Sequence, residues 1–249
     1  MGTIDMNNRI TITMPYYDAP LMLKEHLENW CTYPANLADK ISVVLVDDGS
    51  QKYPAAEVLK SEQLPVIPIH LYRVLENIPW NHGGARNLGM HNVPDGWVLS
   101  TDIDHILTAP NFERLLSKQL DSSKSYRLGR MRQNLKGKLE SMKPHRESFL
   151  MTKSMFWGIG GFDEDFNGYW NGVFYPFLRN VRLVCSVIEL NDVTLLFRDD
   201  CTDATVKDWG RIGSQWDINI DAPMRKKQHA AAKNYKPKNP LRFEWEKVI

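Results

Sequence analysis

The chain has 249 residues, of which 43% are hydrophobic and 24% charged, a balance typical of a globular protein with a sizeable core. Its 31 Lys and Arg residues against 30 Asp and Glu residues leave a net charge of +1, so no nucleic-acid partner is expected. No stretch approaches the roughly 18 apolar residues of a membrane span. Three scattered cysteines and no signal-peptide pattern predict a cytoplasmic protein with no integral membrane segment, disulfide framework or zinc site.

The first half of the chain alternates apolar strand patterns with helical patterns, which is typical of βα units on a mostly parallel sheet. Strands are predicted at residues 9–14, 41–46, 66–74 and 97–101, with Pro68 placing the start of the third at a sheet edge. Helices are predicted after a cap at Asp18, with an apolar stripe of Leu23, Leu27 and Trp30, and at residues 83–91 and 110–120.

The second half is less regular. Residues 124–146 carry eight basic side chains against one acidic one, and such a stretch is expected to be mobile or to face a ligand rather than the core. Further predictions are strands at 148–152 and 193–197, a glycine-rich acidic loop at 158–166 and a helix within 224–233.

Two acidic turns follow buried strands. Asp102 and Asp104 come directly after the strand at 97–101, and Asp48 follows the strand at 41–46. The carboxyl ends of parallel strands form the edge at which such sheets bind ligands. Two carboxylates one residue apart can bind a divalent cation that neutralises a diphosphate, although either turn can also be a solvated turn or a helix cap.

The segment Gly83-Gly84-Ala85-Arg86 opens a predicted helix. Free N–H groups at a helix N-terminus and an arginine in the first turn suit a bound anion. The alternative is a glycine-rich turn with an arginine on the surface.

Four segments in order resemble the nucleotide-sugar-dependent glycosyltransferases of family 2: VVLVDDGS (43–50), NIPWNHGGARNLGM (77–90), VLSTDIDHIL (98–107) and WGIGGFDEDF (157–166). The resemblance covers roughly residues 9–180. It implies the GT-A fold, an α/β, Rossmann-type, open and mostly parallel sheet flanked by helices. We expect one domain over 1–249, with a nucleotide-sugar-binding half at 1–108 and a smaller, less regular acceptor-side half at 109–249.

The same resemblance implies roles for individual residues. Pro15 and Tyr17 would line the nucleotide site, Asp48 would contact the base, and Arg86 would contact the nucleotide region. Asp102 would face the ribose or donor sugar and also hold Mn²⁺ or Mg²⁺, with Asp104 as the principal ligand. A histidine on the C-terminal side completes the metal shell in many proteins of this fold, which makes His229 a candidate ligand; it can equally be a surface histidine.

The implied reaction moves a sugar from a nucleoside diphosphate, a UDP-sugar first among the candidates, to a hydroxyl of a glycan or other acceptor, with inversion. The general base expected after the GGFDE-like loop is missing, because no carboxylate follows Trp170 in residues 171–174. Asp165, Asp163 and Glu164 are the nearest substitutes, and the alternative is that they only satisfy backbone N–H groups. Two alternatives are a binding protein of the same fold with weak or no turnover, and a nucleotidyltransferase, for which no glycine-rich triphosphate loop is present.

Other side chains are weaker candidates. His82 and His105 adjoin the motifs and can reach phosphate or metal, or serve as structural hydrogen-bonding histidines. Aromatic rings that can stack on a sugar, or belong to the core, are Trp80, Trp157, Tyr169 and Trp170. The basic stretch at 124–146 can hold an acidic acceptor, close over the diphosphate or form a solvated surface.

Overall fold

The computed structural model describes residues 9–133, 137–168, 173–198, 226–227, 230 and 239–249. Its strands are β1 (Ile10–Tyr16), β2 (Ile41–Asp47), β3 (Ile69–Val74), β4 (Trp97–Ser100), β5 (His105–Leu107), β6 (Lys124–Gln133), β7 (Leu139–Met142), β8 (Phe149–Thr152), β9 (Ser186–Phe197) and β10 (Trp245–Lys247). Its helices are α1 (Pro20–Cys31), α2 (Ala35–Ala38), α3 (Ala55–Ser61), α4 (His82–Asn92), α5 (Ala109–Leu116), α6 (Lys153–Ile159) and α7 (Phe174–Val184), with a 3₁₀ turn at Glu164–Phe166.

The described strands form one ten-stranded sheet in the order β10-β3-β2-β1-β4-β8-β6-β9-β5, with β7 paired to β6. The four central strands β3, β2, β1 and β4 are parallel, and antiparallel strands β10 and β8 flank them. Thr13 pairs with both Val44 and Ser100, so the carboxyl ends of β1, β2 and β4 lie side by side. The predicted α/β fold with a mostly parallel central sheet is confirmed.

Helices cover both faces of this sheet because the central strands are apolar on both sides. One core joins the β1 side chains with α1, α3 and α5, and the other joins β2 and β4 with α4, α6 and α7. The predicted stripe of Leu23, Leu27 and Trp30 on α1 is at most 2% exposed. Burying a side chain of this size contributes about 1.5–3 kcal/mol, so these contacts hold the helix on the sheet.

Asp18 is not the N-cap of α1, contrary to the prediction. The cap position is Ala19, and it makes no side-chain capping bond. The Asp18 carboxylate instead accepts hydrogen bonds from the backbone N–H groups of Lys52 at 2.9 Å and Tyr53 at 2.6 Å. Asp18 therefore ties the end of β1 to the loop after β2.

The expectation that residues 124–146 are mobile or ligand-facing is wrong for the strand β6. This strand lies inside the sheet between β8 and β9, and its Tyr126 and Leu128 are 5% and 2% exposed. Arg127 lies between these two residues, and a strand sends successive side chains to opposite faces, while the other basic residues of β6 lie towards its ends. A high local charge is therefore compatible with a core strand.

Several boundaries also differ from prediction. β3 begins at Ile69, later than predicted, and β10 pairs with its second half, Tyr72–Val74. β9 starts at Ser186, earlier than predicted, and α7 was not predicted although Phe174, Phe177 and Val181 have helical spacing and are buried. The helix predicted within 224–233 falls largely outside the described residues. Within the described part of the chain, no helix has the length and hydrophobicity to cross a membrane.

Close packing of α4 on β1 depends on Gly89. A Cβ there would lie 2.1 Å from Thr13 Oγ1, so Gly89→Ala forces the helix and strand apart. We expect a loss of about 1–3 kcal/mol in the free energy of unfolding, measured by urea denaturation. Gly158→Ala is the control, since a Cβ at this exposed position of α6 meets nothing within 4 Å and alanine favours helix by about 0.5–1 kcal/mol. Equal stability of the two variants would contradict the packing argument.

Candidate active site

A cleft of about 320 Å³ opens at the carboxyl ends of the central strands. Its described lining comprises Pro15, Tyr16, Tyr17, Ala19, Met22, Asp48, Trp80, His82, Asp102, Ile103, Asp104 and Glu147. The expected convergence of Asp48 and Asp104 on one rim of the sheet is thereby confirmed. Parallel strands bring their carboxyl ends to one edge, and this explains why residues far apart in the chain meet here.

The two aspartates after β2 have different tasks. Asp47 accepts hydrogen bonds from the backbone N–H groups of Ser50 at 2.7 Å and Ala55 at 2.9 Å, which fixes the turn into α3. Asp48 faces the cleft and accepts a hydrogen bond from Asn81 Nδ2 at 2.8 Å. Burial raises the pKa of the Asp48 carboxyl to about 7, although the bond from Asn81 opposes this. Asp48 is thus a buried acceptor that lines the cleft together with Tyr17 and Pro15.

The glycine pair that begins α4 is explained by close packing. A Cβ on Gly84 would lie 2.2 Å from Asn81 Oδ1, and one on Gly83 would lie 2.8 Å from Val173 Cγ1. Both glycines are buried. Gly84 therefore lets Asn81 approach the helix and hold Asp48, and Gly83 makes room for Val173.

Arg86 lies beneath the cleft, whereas the resemblance implied a contact with the nucleotide region. The residue is 1% exposed and is not among the described residues that line the cleft. Its Nη1 donates to Ser100 Oγ at 2.7 Å, its Nη2 donates to Asp102 Oδ1, and its guanidinium lies 5.4 Å from the centre of the Phe174 ring. This geometry makes Arg86 a positioning residue for Asp102.

Asp102 is held in its ionised form. Burial by itself would raise the pKa of its carboxyl, but the Arg86 guanidinium, with a further contribution from the His82 ring, outweighs burial and holds this pKa well below its usual range. His82 Nε2 lies 2.9 Å from Asp102 Oδ1. The cleft therefore presents a fixed negative charge at Asp102.

The turn from Asp102 to Asp104 is anchored from two sides. The His26 ring on α1 donates from Nε2 to the Ile103 carbonyl at 2.8 Å, and the Arg198 N–H donates to the Asp104 carbonyl at 3.0 Å. His105 Nδ1 donates to Asp104 Oδ1 at 2.5 Å. The two carboxylates are thus oriented before any ligand binds.

The donor groups around this turn fit a divalent cation. Ligand atoms of Asp102, His105 and His145 lie within 4.8 Å of one another, and so do those of His82, Asp102 and Glu147. His105 Nε2 is buried without a hydrogen-bond partner, while burial lowers the pKa of His145 to about 4 and keeps that ring in the neutral form that binds metal. Carboxylate oxygen with imidazole nitrogen suits Mn²⁺ better than Mg²⁺, which prefers oxygen alone.

Glu147 and His145 are site residues that the sequence reasoning missed. They precede β8, which runs antiparallel to β4 with Phe149 opposite Ser100, so the start of one strand meets the end of the other. Burial, followed by the charge of Asp102, raises the pKa of Glu147 to about 8. No motif marks these residues, and only the antiparallel pairing places them beside the cleft.

The three residues expected to supply the general base serve another purpose. Glu164 accepts hydrogen bonds from Asn87 Nδ2 and the Leu241 N–H, both at 2.8 Å, and Asp165 accepts one from Arg242 Nη1 at 2.7 Å. Asp163 is 5% exposed and accepts from the Asp165 N–H at 3.1 Å. None of the three is among the described residues lining the cleft. Glu164 and Asp165 fasten the C-terminal segment to the fold instead, and Asp163 caps the 3₁₀ turn.

The remaining candidate side chains differ in whether they line the cleft. Trp80 and His82 line the cleft, and Trp157 packs edge-on against Phe156 at 4.9 Å between ring centres. His229, Tyr169 and Trp170 lie outside the described residues.

Comparison with known proteins decides the family. The sequence model of glycosyl transferase family 2 matches residues 11–187, more than half of the chain. The chain belongs to glycosyl transferase family 2. No curated protein matches this chain at a significant level.

Solved structures agree on the fold. A mannosyltransferase, PcManGT from Pyrobaculum calidifontis in complex with GDP-Man and Mn²⁺, is similar with a TM-score of 0.57 and 17% identity over 93% of this chain and 66% of that one. TarS 1–349 of S. aureus in complex with UDP-GlcNAc is similar with a TM-score of 0.60 and 13% identity over 77% of this chain and 59% of that one. The family 2 chain thus has the GT-A fold and spans less than two thirds of either relative.

The buried Asp48 predicts a pH-dependent stability. Because its folded pKa of about 7 lies above its ordinary value of 3.8, the unfolded chain loses this proton first, and rising pH between these values favours unfolding. Asp48→Asn replaces the ionisable carboxyl with an amide that does not titrate. The free energy of unfolding of the variant minus that of the wild type should be smallest near pH 4, grow by up to a few kcal/mol towards pH 7 and then level off. Urea denaturation across this range measures it, and a difference independent of pH would contradict the burial of an ionisable Asp48.

Proposed function

We propose that this family 2 protein is a metal-dependent, inverting glycosyltransferase that uses a nucleoside-diphosphate sugar. The observation that carries the proposal is that Asp48 and the Asp102–Asp104 turn line the same cleft. A nucleoside-diphosphate sugar needs both, because Asp48 can bind its base while the two aspartates of the turn can bind the cation on its diphosphate. The two similar structures are complexes with GDP-Man and Mn²⁺ and with UDP-GlcNAc, which supports such a donor and makes a UDP-sugar or GDP-sugar the first candidate.

Each part of the cleft has a task in this proposal. Asp48 accepts an N–H of the base, and Tyr17 and Pro15 form the wall beside it. Asp102 would hold the cation with His145 or His105 as a nitrogen ligand, and Asp104 on the same turn would add a second carboxylate. When bound, the ion neutralises the charge that develops on the leaving diphosphate. Arg86 keeps Asp102 ionised and fixed in direction.

Glu147 is the proposed general base. It is the remaining carboxylate in the described lining of the cleft once Asp48, Asp102 and Asp104 have been given their roles. It would take the proton of the acceptor hydroxyl as that oxygen attacks the anomeric carbon, with the sugar–diphosphate bond breaking on the opposite side. This direct displacement inverts the configuration. The proposal replaces the carboxylate pair that is absent from residues 171–174.

Nucleotide binding tests the cation site. In a thermal-shift screen of UDP, GDP and their sugars, the wild type should be stabilised by one base in the presence of Mn²⁺ and much less with EDTA. Asp104→Asn should lose the Mn²⁺-dependent part of the shift, because one ligand charge is removed. Asp95→Asn, an exposed site in the loop before β4, is the matched control and should respond like the wild type. An unchanged response of Asp104→Asn would overturn the site assignment.

Glu147→Gln separates chemistry from binding. The variant should keep the Mn²⁺-dependent nucleotide shift and lose at least about 100-fold in transfer rate, the usual contribution of a general base. The exposed Glu113→Gln on α5 should keep both. Loss of Mn²⁺ affinity in Glu147→Gln would show that Glu147 is a metal ligand. Absence of any turnover in the wild type, despite nucleotide binding, would favour a binding protein of the same fold.

A further inference from the structure

A second cavity adjoins the cleft. It is a groove of about 510 Å³ lined by Arg146, Glu147, Phe174, Tyr175, Leu178, Arg179, Arg182 and Leu183. Glu147 lines both cavities, so the proposed base stands where they meet. The Arg86 guanidinium lies over the Phe174 ring, and Phe174 also lines the groove. Its side chain therefore lies between the buried ion pair and the groove.

The groove is strongly basic. Arg146 comes from the segment before β8, while Arg179 and Arg182 come from neighbouring turns of α7. The charges of Arg182 and Arg146 lower the pKa of Arg127, after the larger effect of burial, so this fourth arginine is close to them; Glu189 opposes this change. None of Arg146, Arg179 and Arg182 takes part in the salt bridges that join described residues.

Such a cluster suits an anion, because a guanidinium group binds a phosphate or carboxylate with two parallel hydrogen bonds. The volume lies within the range of small-molecule sites, and Tyr175 offers an aromatic face to a sugar ring. A concave groove with an arginine rim favours a discrete molecule over a flat lipid surface.

We propose that this groove is the acceptor subsite and that the acceptor is a sugar-like molecule bearing a phosphate or carboxylate group. The inference rests on the proposed function, because it assigns the groove by its junction with the cleft at Glu147. The acidic group would lie against Arg179 and Arg182, and the accepting hydroxyl would reach Glu147. The arginines thereby select the acceptor and set its direction.

Direct binding tests the inference without need of the natural acceptor. Glucose 6-phosphate, glucuronate and glucose are titrated by calorimetry into protein saturated with Mn²⁺ and the nucleoside diphosphate that the screen identifies. The two acidic sugars should bind at least about tenfold more tightly than glucose, and added NaCl should weaken them. Preference for the phosphate or for the carboxylate identifies the acidic group.

Variants locate the binding. Arg179→Gln combined with Arg182→Gln should reduce the affinity for the acidic sugar at least about tenfold and leave the Mn²⁺-dependent nucleotide shift unchanged. Arg114→Gln, on α5 and outside both cavities, is the matched control and should bind like the wild type. Equal affinity for glucose and the acidic sugars, or an unchanged double variant, would overturn the proposal.

Two further measurements separate this proposal from the previous one. Asp104→Asn, which should lack the metal-dependent nucleotide shift, should still bind the acidic sugar, since the arginines are intact. Failure of nucleotide binding with retained acidic-sugar binding would thus reject the donor site alone. Binding of the wild type to vesicles containing anionic lipid, without binding to any acidic sugar, would reject a sugar-like acceptor and point to a membrane surface.

Discussion

The buried ion pair between Arg86 and Asp102 is the constraint on which the cleft depends. A carboxylate in this position would take up a proton if it were unpaired, and an unpaired guanidinium in the same place would be still more unfavourable. Together they stay charged, and the bond from Arg86 to Ser100 fixes their direction. Arg86 thus balances the negative charge of Asp102 from below the cleft.

Strand register explains how the rest of the site assembles around that pair. The turns after β1, β2 and β4 supply Tyr17, Asp48 and Asp104 at the carboxyl edge of a parallel sheet. An antiparallel strand then brings its beginning to the same edge, which delivers His145 and Glu147. Parallel strands alone would not do this, since each contributes only the residues that follow it. The mixed sheet therefore lets the cleft with the Asp102–Asp104 turn and the basic groove share Glu147 in their walls.

The acidic loop at residues 163–165 shows how one motif can serve the fold. Glu164 and Asp165 bind Leu241 and Arg242, which directly precede the strand β10. β10 in turn covers β3, whose backbone groups would otherwise be unpaired on that side. The carboxylates of this loop are therefore occupied by contacts within the fold. The position of this loop in the chain predicts a general base, whereas its contacts indicate a structural role.

Several features were determined by the sequence alone, because local patterns carry them. The apolar runs of β1, β2 and β4, the helical stripe of Leu23, Leu27 and Trp30, and the acidic residues at strand ends were enough to predict the α/β fold and the meeting of Asp48 with Asp104. Only the tertiary structure decided the rest. Arg86 points inward, Glu164 and Asp165 bind the C-terminal segment, and Glu147 lines the cleft. These positions depend on strand direction and on contacts between distant segments, and the spacing of residues along the chain encodes neither the direction nor the contacts.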